Sequence, residues 1–173
     1  FQVNVFTHAP AQADPAREAA WLDWLRPHFA RFGAAPPGEL TEIYRSFLAD
    51  EPMFNLLLEE RPAVVSFHFG LPPQDWIDAL KAAGIVLFAT ATSLEEARQI
   101  EAAGIDVIVA QGIEAGGHRG MFDPSAPDPA LPTFELLEQL RSKVALPLVA
   151  AGGIMAGAHI RPALYHGGTA VQG

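Results

Sequence analysis

Six short apolar segments recur along the chain, and helical patterns separate most of them. Segments of this length that are rich in Val, Ile, Leu and Ala predict buried strands, because a membrane-spanning helix needs about 20 apolar residues. Strands that alternate with helices predict βαβ units in a parallel sheet, so the predicted fold class is α/β. The predicted strands cover residues 2–6, 63–67, 85–89, 106–110, 146–150 and 169–172.

Two of the intervening segments have clear helical signals. Residues 14–32 place several aromatic side chains on one helical stripe, and we expect Trp21 and Trp24 to be part of the core. Ser93 and Glu96 have the spacing of a capping box, in which Ser93 is the N-cap and Glu96 lies three residues later. Both signals place helices between predicted strands, as a βαβ arrangement requires.

The connection between the first two predicted strands is the longest in the chain. Residues 33–62 contain Pro36-Pro37-Gly38 followed by an apolar helical stretch, which predicts a helical insertion. Tyr44 lies in this insertion, which could act as a lid over a site. Neither an internal repeat nor a second domain is evident, so residues 1–173 are predicted to form one domain with an insertion at about 33–62.

Composition excludes several classes of function. The 173 residues include 11 Lys or Arg against 20 Asp or Glu, and the basic residues form no cluster, which argues against a nucleic-acid partner. Since cysteine is absent, disulfides, thiolate catalysis and cysteine-ligated metals are excluded. The sequence also lacks the His-Glu-x-x-His pattern that would predict a metal site. With neither a membrane span nor a secretory signal in the sequence, we expect a soluble, cytoplasmic protein.

The segment with the most chemical potential follows the fourth predicted strand. Residues 110–120 contain four glycines and His118. Glycine lets backbone N–H groups approach a ligand closely, and histidine can exchange protons near neutral pH. In parallel α/β folds ligands bind at the carboxyl ends of the strands, where this loop would lie. The alternative is a tight connection with a surface histidine. Glu114 and Arg119 flank His118 and could either orient it or be solvated loop charges.

Three further strand ends carry glycines or small polar residues. Ser66 and His68 lie at the end of the second predicted strand, and Thr90 at the end of the third. Gly152 and Gly153 end the fifth strand and are expected to open a helix, a pattern typical of phosphate binding. The segment 167–173 would supply the neighbouring half of that site, as in (β/α)8 enzymes.

Together these motifs resemble those of the nitronate monooxygenase family, formerly called 2-nitropropane dioxygenases, whose members are FMN-dependent TIM-barrel enzymes. The matching segments are 66–70 (SFHFG), 110–120 (AQGIEAGGHRG), 150–154 (AAGGI) and 170–173 (AVQG), in the family's order. The resemblance implies a (β/α)8 TIM barrel, seen here as an incomplete barrel of about six βα units that match barrel strands three to eight. The first two strands and the C-terminal region are missing, so we expect further residues on both sides of this segment.

The resemblance also assigns roles to individual residues. His118 matches the catalytic base, while His68 and Tyr44 match residues of the substrate pocket. Contacts with the flavin ring are implied for Asn4, Gln111, Gly116 and Gly117. Contacts with the FMN phosphate are implied for Gly152, Gly153, Gln172 and Gly173. No metal ligand is implied.

The implied function is the oxidation of alkyl nitronates of the propionate 3-nitronate type by dioxygen, with FMN as the cofactor. Neutral imidazole is a suitable base for the acidic α-proton of a nitroalkane, and the redox step belongs to the flavin. Two alternatives remain open. One is an NAD(P)H-dependent flavin reductase on the same barrel, acting on a quinone or an enoyl thioester. The other is a non-catalytic FMN-binding protein.

Overall fold

The computed structural model describes residues 1–173 and contains the six strands that the sequence predicts, each within two residues of its predicted bounds. The strands are β1 (Gln2–Phe6), β2 (Val64–His68), β3 (Val86–Ala91), β4 (Val107–Gln111), β5 (Leu148–Ala151) and β6 (Ala170–Gln172). The helices are α1 (Pro15–Ala30), α2 (Glu51–Glu60), α3 (Gln74–Ala82), α4 (Leu94–Ala102), α5 (Thr133–Leu140) and α6 (Gly157–Tyr165), with a 3-10 turn at Phe47–Ala49. None of these helices combines the length and the apolar character that a bilayer crossing requires.

All six strands are parallel and pair in chain order, from β1 beside β2 to β5 beside β6. Sequential parallel pairing with a helix in each crossover is the connectivity of a (β/α)8 barrel, and it brings every strand's carboxyl end to the same edge. The six strands form a half-barrel, which confirms the predicted fold class.

The two faces of the half-barrel differ in chemistry, because side chains alternate along each strand. Val65 and Phe67 of β2 are fully buried in the hydrophobic core, together with leucines and isoleucines of α3, α4 and α5. Ser66 and His68 point to the opposite face, where a polar cavity opens. The apolar face therefore fixes the helices, while the other face is free to carry a site.

The capping box at the start of α4 is only half formed. Ser93 is the N-cap, and its hydroxyl accepts the N–H of Glu96 at 3.2 Å, as predicted. The Glu96 carboxylate instead accepts the N–H of Thr92 at 2.6 Å, the Thr92 hydroxyl at 2.8 Å and the N–H of Phe122 at 2.9 Å. Glu96 thereby ties the end of β3 to the long loop that follows β4.

The chain divides into two compact units, one formed by Phe1–His8 with Ser46–Gly173 and the other by Ala9–Arg45. The predicted insertion at 33–62 coincides with neither unit, since α2 lies in the first; the prediction of one domain with that insertion stays a prediction. In the second unit α1 forms as expected, but Trp21 and Trp24 are 50% and 55% exposed and stack on each other. Their prediction as core residues was wrong.

Candidate active site

A cavity of about 360 Å³ lies at the carboxyl ends of the strands. Residues of all six strands and of the loop after β4 line it, and its wall is more polar than the core behind the sheet. The residues that the sequence predicted among its lining are Asn4, His68, Gln111, Gly116, His118 and Gln172. The topology therefore gathers side chains that are far apart in sequence into one concave site.

A second cavity of about 300 Å³ adjoins the first, because Gln111, Gly116, Ala151 and Gln172 line both. It extends toward the turn after β5 and the end of β6. Its lining includes the glycines that the sequence predicted to bind phosphate, which are Gly152, Gly153 and Gly173. Together the two cavities form an elongated site with a polar half and a glycine-lined half.

Both ring nitrogens of His68 have hydrogen-bond partners in the protein. Its Nε2 lies 3.1 Å from the backbone carbonyl oxygen of His118, and its Nδ1 lies 3.0 Å from the Thr90 hydroxyl. Because a carbonyl oxygen can only accept, Nε2 bears the proton and donates it, so Nδ1 of the neutral ring accepts from Thr90. The one lone pair of His68 is thus already engaged.

Burial lowers the pKa of His68 below its ordinary value, since a buried imidazolium loses its hydration. The hydrogen bond to the His118 carbonyl raises this pKa and the nearby charge of His118 lowers it, but desolvation is the largest effect. His68 therefore stays neutral near pH 7 and suits a hydrogen-bonding role better than proton abstraction.

The His118 imidazole is in a different situation, because it is exposed to the cavity. Its ring packs against Phe6 and Phe69, with centroid distances of 5.3 and 5.9 Å. The hydrogen bonds at this residue involve its backbone carbonyl and not its ring nitrogens. A ring nitrogen of His118 is therefore available to exchange a proton with a molecule in the cavity.

Gln111 closes the loop that carries His118. Its Nε2 donates to the His118 carbonyl at 3.0 Å, and its Oε1 accepts the N–H of Gly120 at 2.7 Å. The His118 carbonyl consequently accepts from both Gln111 and His68. Gly120 lies so close to His68 that an added Cβ would be 2.6 Å from His68 Cε1, which explains why the loop returns through a glycine.

Neither charged neighbour of His118 contacts its ring. Arg119 binds the Asp128 carboxylate through Nε and Nη2, both at 3.0 Å, and its Nη1 donates to the Gln111 carbonyl at 2.5 Å. Glu114 accepts the N–H and the hydroxyl of Thr133 at 2.9 and 2.8 Å. Both side chains stabilise the loop, and Glu114 is at the same time an exposed loop charge, as one of the two interpretations from the sequence had it.

The turn after β5 contains the glycine pair for which phosphate binding was predicted. Gly152 and Gly153 have φ angles of +100° and +72°, and the N–H groups of Gly153 and Ile154 have no acceptor in the protein. Successive N–H groups in such a turn form a concavity that suits anions. The helix expected after the glycine pair is present as α6 but begins only at Gly157, because left-handed φ values cannot continue into a right-handed helix.

A chain of hydrogen bonds fixes Asn4 on the polar face. The amide of Gln2 donates to the Ser66 hydroxyl at 2.8 Å, and that hydroxyl donates to Oδ1 of Asn4 at 2.6 Å. With its oxygen held in this way, Asn4 keeps its amide N–H groups available to the cavity.

Gly117 and Tyr44 were also predicted as site residues. Gly117 is next to Gly116 but lines neither cavity. Tyr44 belongs to the second compact unit and is 65% exposed. The lining also contains residues that the sequence prediction missed, which are Gln2, Phe6, Val109 and Ala151. The signal was available for three of them: Gln2, Phe6 and Val109 each lie two residues from a predicted site residue on the same strand, and therefore on the same face.

Comparison with known proteins places this geometry in a family. A family model described as nitronate monooxygenase matches residues 1–173. A nitronate monooxygenase of Paraburkholderia phytofirmans is 60% identical over 172 residues, which cover 99% of this chain and 47% of that protein. The corresponding protein of Pseudomonas aeruginosa is 59% identical over 172 residues, covering 99% of this chain and 49% of that protein.

A solved structure is also similar over almost the whole chain. The nitroalkane oxidase from Streptomyces ansochromogenes superposes with a TM-score of 0.87 at 38% identity, over 99% of this chain and 48% of that one. The chain thus spans about half the length of the curated relatives it matches.

Proposed function

We propose, because the chain belongs to the nitronate monooxygenase family over all of its 173 residues, that the whole protein oxidises alkyl nitronates with dioxygen at this site. Enzymes of this family are flavin-dependent. We further propose that the flavin is FMN, bound without a covalent link, and that the substrates are nitronates of the propionate 3-nitronate type or the parent nitroalkanes.

The residues that line the two adjoining cavities support this choice of cofactor. Asn4, Gln111 and Gly116 would contact the flavin ring from the cavity lining, with the Asn4 amide N–H groups as donors, and Gly117 would do so only if its part of the loop closed over the ring. The glycine turn, with its unused N–H groups, fits the phosphate at Gly152 and Gly153, and Gln172 and Gly173 would complete that end. When bound, FMN supplies electron transfer from the nitronate to dioxygen.

The residues of the chain supply binding and proton transfer. A ring nitrogen of His118 would take the α-proton of a nitroalkane, which leaves the nitronate anion. His68 would hold the His118 backbone in place through its Nε2–H, while its own lone pair stays bonded to Thr90. A nitronate that arrives already deprotonated needs only the binding part of this site.

One observation supports this proposal above the others: a histidine with free ring nitrogens faces the same cavity that leads to the glycine turn. Anaerobic mixing of the flavin-loaded protein with propionate 3-nitronate tests it. We expect rapid loss of flavin absorbance with the nitronate and none with NADH.

Other outcomes of that mixing would contradict the proposal in distinguishable ways. Rapid reduction by NADH, with none by the nitronate, would identify a flavin reductase instead. Flavin binding with neither reaction would indicate a non-catalytic FMN-binding protein.

A further inference from the structure

Two loops of the site meet at one buried hydroxyl. Thr133, the first residue of α5, is 2% exposed. Its hydroxyl lies 2.8 Å from Oε2 of Glu114, in the loop that carries His118, and 3.0 Å from the carbonyl oxygen of Gly152, in the glycine turn. No other side chain in the structure bonds to both segments.

Glu114 has a structural reason to reach Thr133. Pro132 occupies the N-cap position of α5 and provides no side-chain cap, so the helix begins with an unsatisfied N–H. Glu114 accepts that N–H from outside the helix. Burial raises the pKa of Glu114, but hydrogen bonds from its own backbone and Thr133, together with the charge of Arg119, outweigh burial and lower it overall. Glu114 is therefore ionised at neutral pH and can only accept.

The hydroxyl of Thr133 has one proton and several acceptors within reach. Glu114 Oε2 and the Gly152 carbonyl are both acceptors, as is the Ala151 carbonyl at 3.3 Å. A threonine hydroxyl donates to one of them at a time. The hydroxyl can therefore donate in one of three ways: to Glu114 in the His118 loop, or to the carbonyl of Gly152 or Ala151 at the glycine turn.

The three glycines near this hydroxyl leave little room for a side chain, because the two loops approach each other closely there. A Cβ added at Gly112 would be 2.1 Å from the Thr133 hydroxyl oxygen. One added at Gly153 would be 3.1 Å from Cβ of Glu114, and one at Gly152 would be 3.0 Å from the N atom of Ala115. A displacement of the glycine turn therefore meets the His118 loop directly.

We propose that Glu114 and Thr133 are positioning residues that couple the glycine turn to the His118 loop, so that a phosphate group bound at the turn orders the loop. This inference rests on the proposed function, in which the phosphate belongs to FMN. Binding of the cofactor would then help to assemble the base that acts beside it.

Hydrogen exchange of residues 112–120 in the whole protein tests the coupling with three probes: FMN, riboflavin and inorganic phosphate. In the wild type we expect FMN and phosphate to slow exchange in this loop, and riboflavin, which lacks the phosphate, to slow it less. Thr133→Val removes the hydroxyl and retains the shape. It should reduce the effect of phosphate and weaken FMN binding about tenfold, with riboflavin affinity within about twofold of wild type.

Two further variants control for a general structural defect. Thr133→Ser restores the hydroxyl and should restore both the phosphate effect and the FMN affinity. Glu101→Gln changes a matched carboxylate, which accepts the N–H of Ala145 near the other end of the sheet. It should leave FMN affinity and loop protection unchanged. If Thr133→Val fails to fold, Glu114→Gln provides the same comparison, because a neutral amide is the weaker acceptor.

The inference would be overturned if phosphate protected the loop equally in wild type and Thr133→Val, or if phosphate left the wild-type loop unprotected. Wild-type FMN binding in either case would leave the proposed function standing. Failure of the wild type to bind FMN would remove the proposed function, and the phosphate comparison would still decide the coupling.

Discussion

His118 and His68 line the same cavity but differ in the lone pairs they can offer. The ring nitrogens of His118 are unbonded, so replacing it with Asn should remove the base. We expect activity on neutral nitroalkanes to fall by roughly 10²–10⁴-fold, and activity on pre-formed nitronates to fall much less. Steady-state rates with both forms of one substrate, measured with FMN bound, make the comparison. Equal losses on the two forms would show that His118 positions the substrate and is not the base.

His68 holds the backbone that carries His118, so its replacement should weaken mainly the step that needs the base. His68→Phe removes the donor to the His118 carbonyl, whereas His68→Gln retains an N–H donor. We expect His68→Phe to lower activity on nitroalkanes more than activity on pre-formed nitronates, and His68→Gln to retain most of both. Equal losses of nitroalkane activity in the two variants would instead indicate that His68 is the base.

The burial of His68 also predicts a pH dependence of stability. Its pKa is lowered in the folded protein, so below about pH 6.5 the unfolded chain binds a proton that the folded protein does not. The contribution of a neutral His68 is fully present above that pH and is lost as the pH falls. Urea unfolding at pH 7.5 and 5.5 should therefore show a smaller decrease in the free energy of unfolding for His68→Gln than for wild type. Identical decreases would contradict the lowered pKa.

At the scale of elements, the loop after β4 runs close to the side chains of β2 and β3 at Gly120. At Gly120→Ala the new Cβ would lie 2.6 Å from His68 Cε1 and 2.8 Å from Thr90 Cγ2, inside the buried part of the site. We expect a loss of about 1–3 kcal/mol in the free energy of unfolding, as for other overpacked sites. Gly157→Ala is the matched control, because a Cβ there meets nothing within 4 Å. Equal stability of the two variants in urea titrations would contradict the close packing.

The strands were predictable because their signal is local: apolar β-branched runs bounded by turn residues fix their limits without knowledge of their partners. Helix α1 shows the limit of predictions from such local signals. Its aromatic stripe forms, yet Trp21 and Trp24 are exposed, since periodicity identifies a helix face but not what covers it. The start of α6 was predicted too early for a different reason. Gly152 and Gly153 have left-handed φ angles and form a turn, which composition alone cannot distinguish from a helix start.

At the scale of the whole molecule, sequential parallel pairing explains why so many site residues could be predicted. Once the strand order is known, the residues that end each strand must meet at one edge. What the sequence could not give were contacts between loops distant in the chain, such as the bond of Gln111 to the His118 carbonyl or that of Glu114 to Thr133. Those bonds depend on the path of each loop, which no local pattern encodes.

The measurement that tests the central claim most directly is the affinity for FMN, followed by flavin fluorescence, in the whole protein and two glycine variants. Gly153→Ala and Gly84→Ala introduce a Cβ at similar φ angles, +72° and +81°, so their backbone strain is comparable. Only Gly153 lies in the turn beside the second cavity. We predict tight FMN binding by the wild type, at least about tenfold weaker binding by Gly153→Ala, and wild-type affinity for Gly84→Ala. A wild-type protein that does not bind FMN, or equal affinities of the two variants, would contradict a flavin site at the carboxyl edge of the half-barrel.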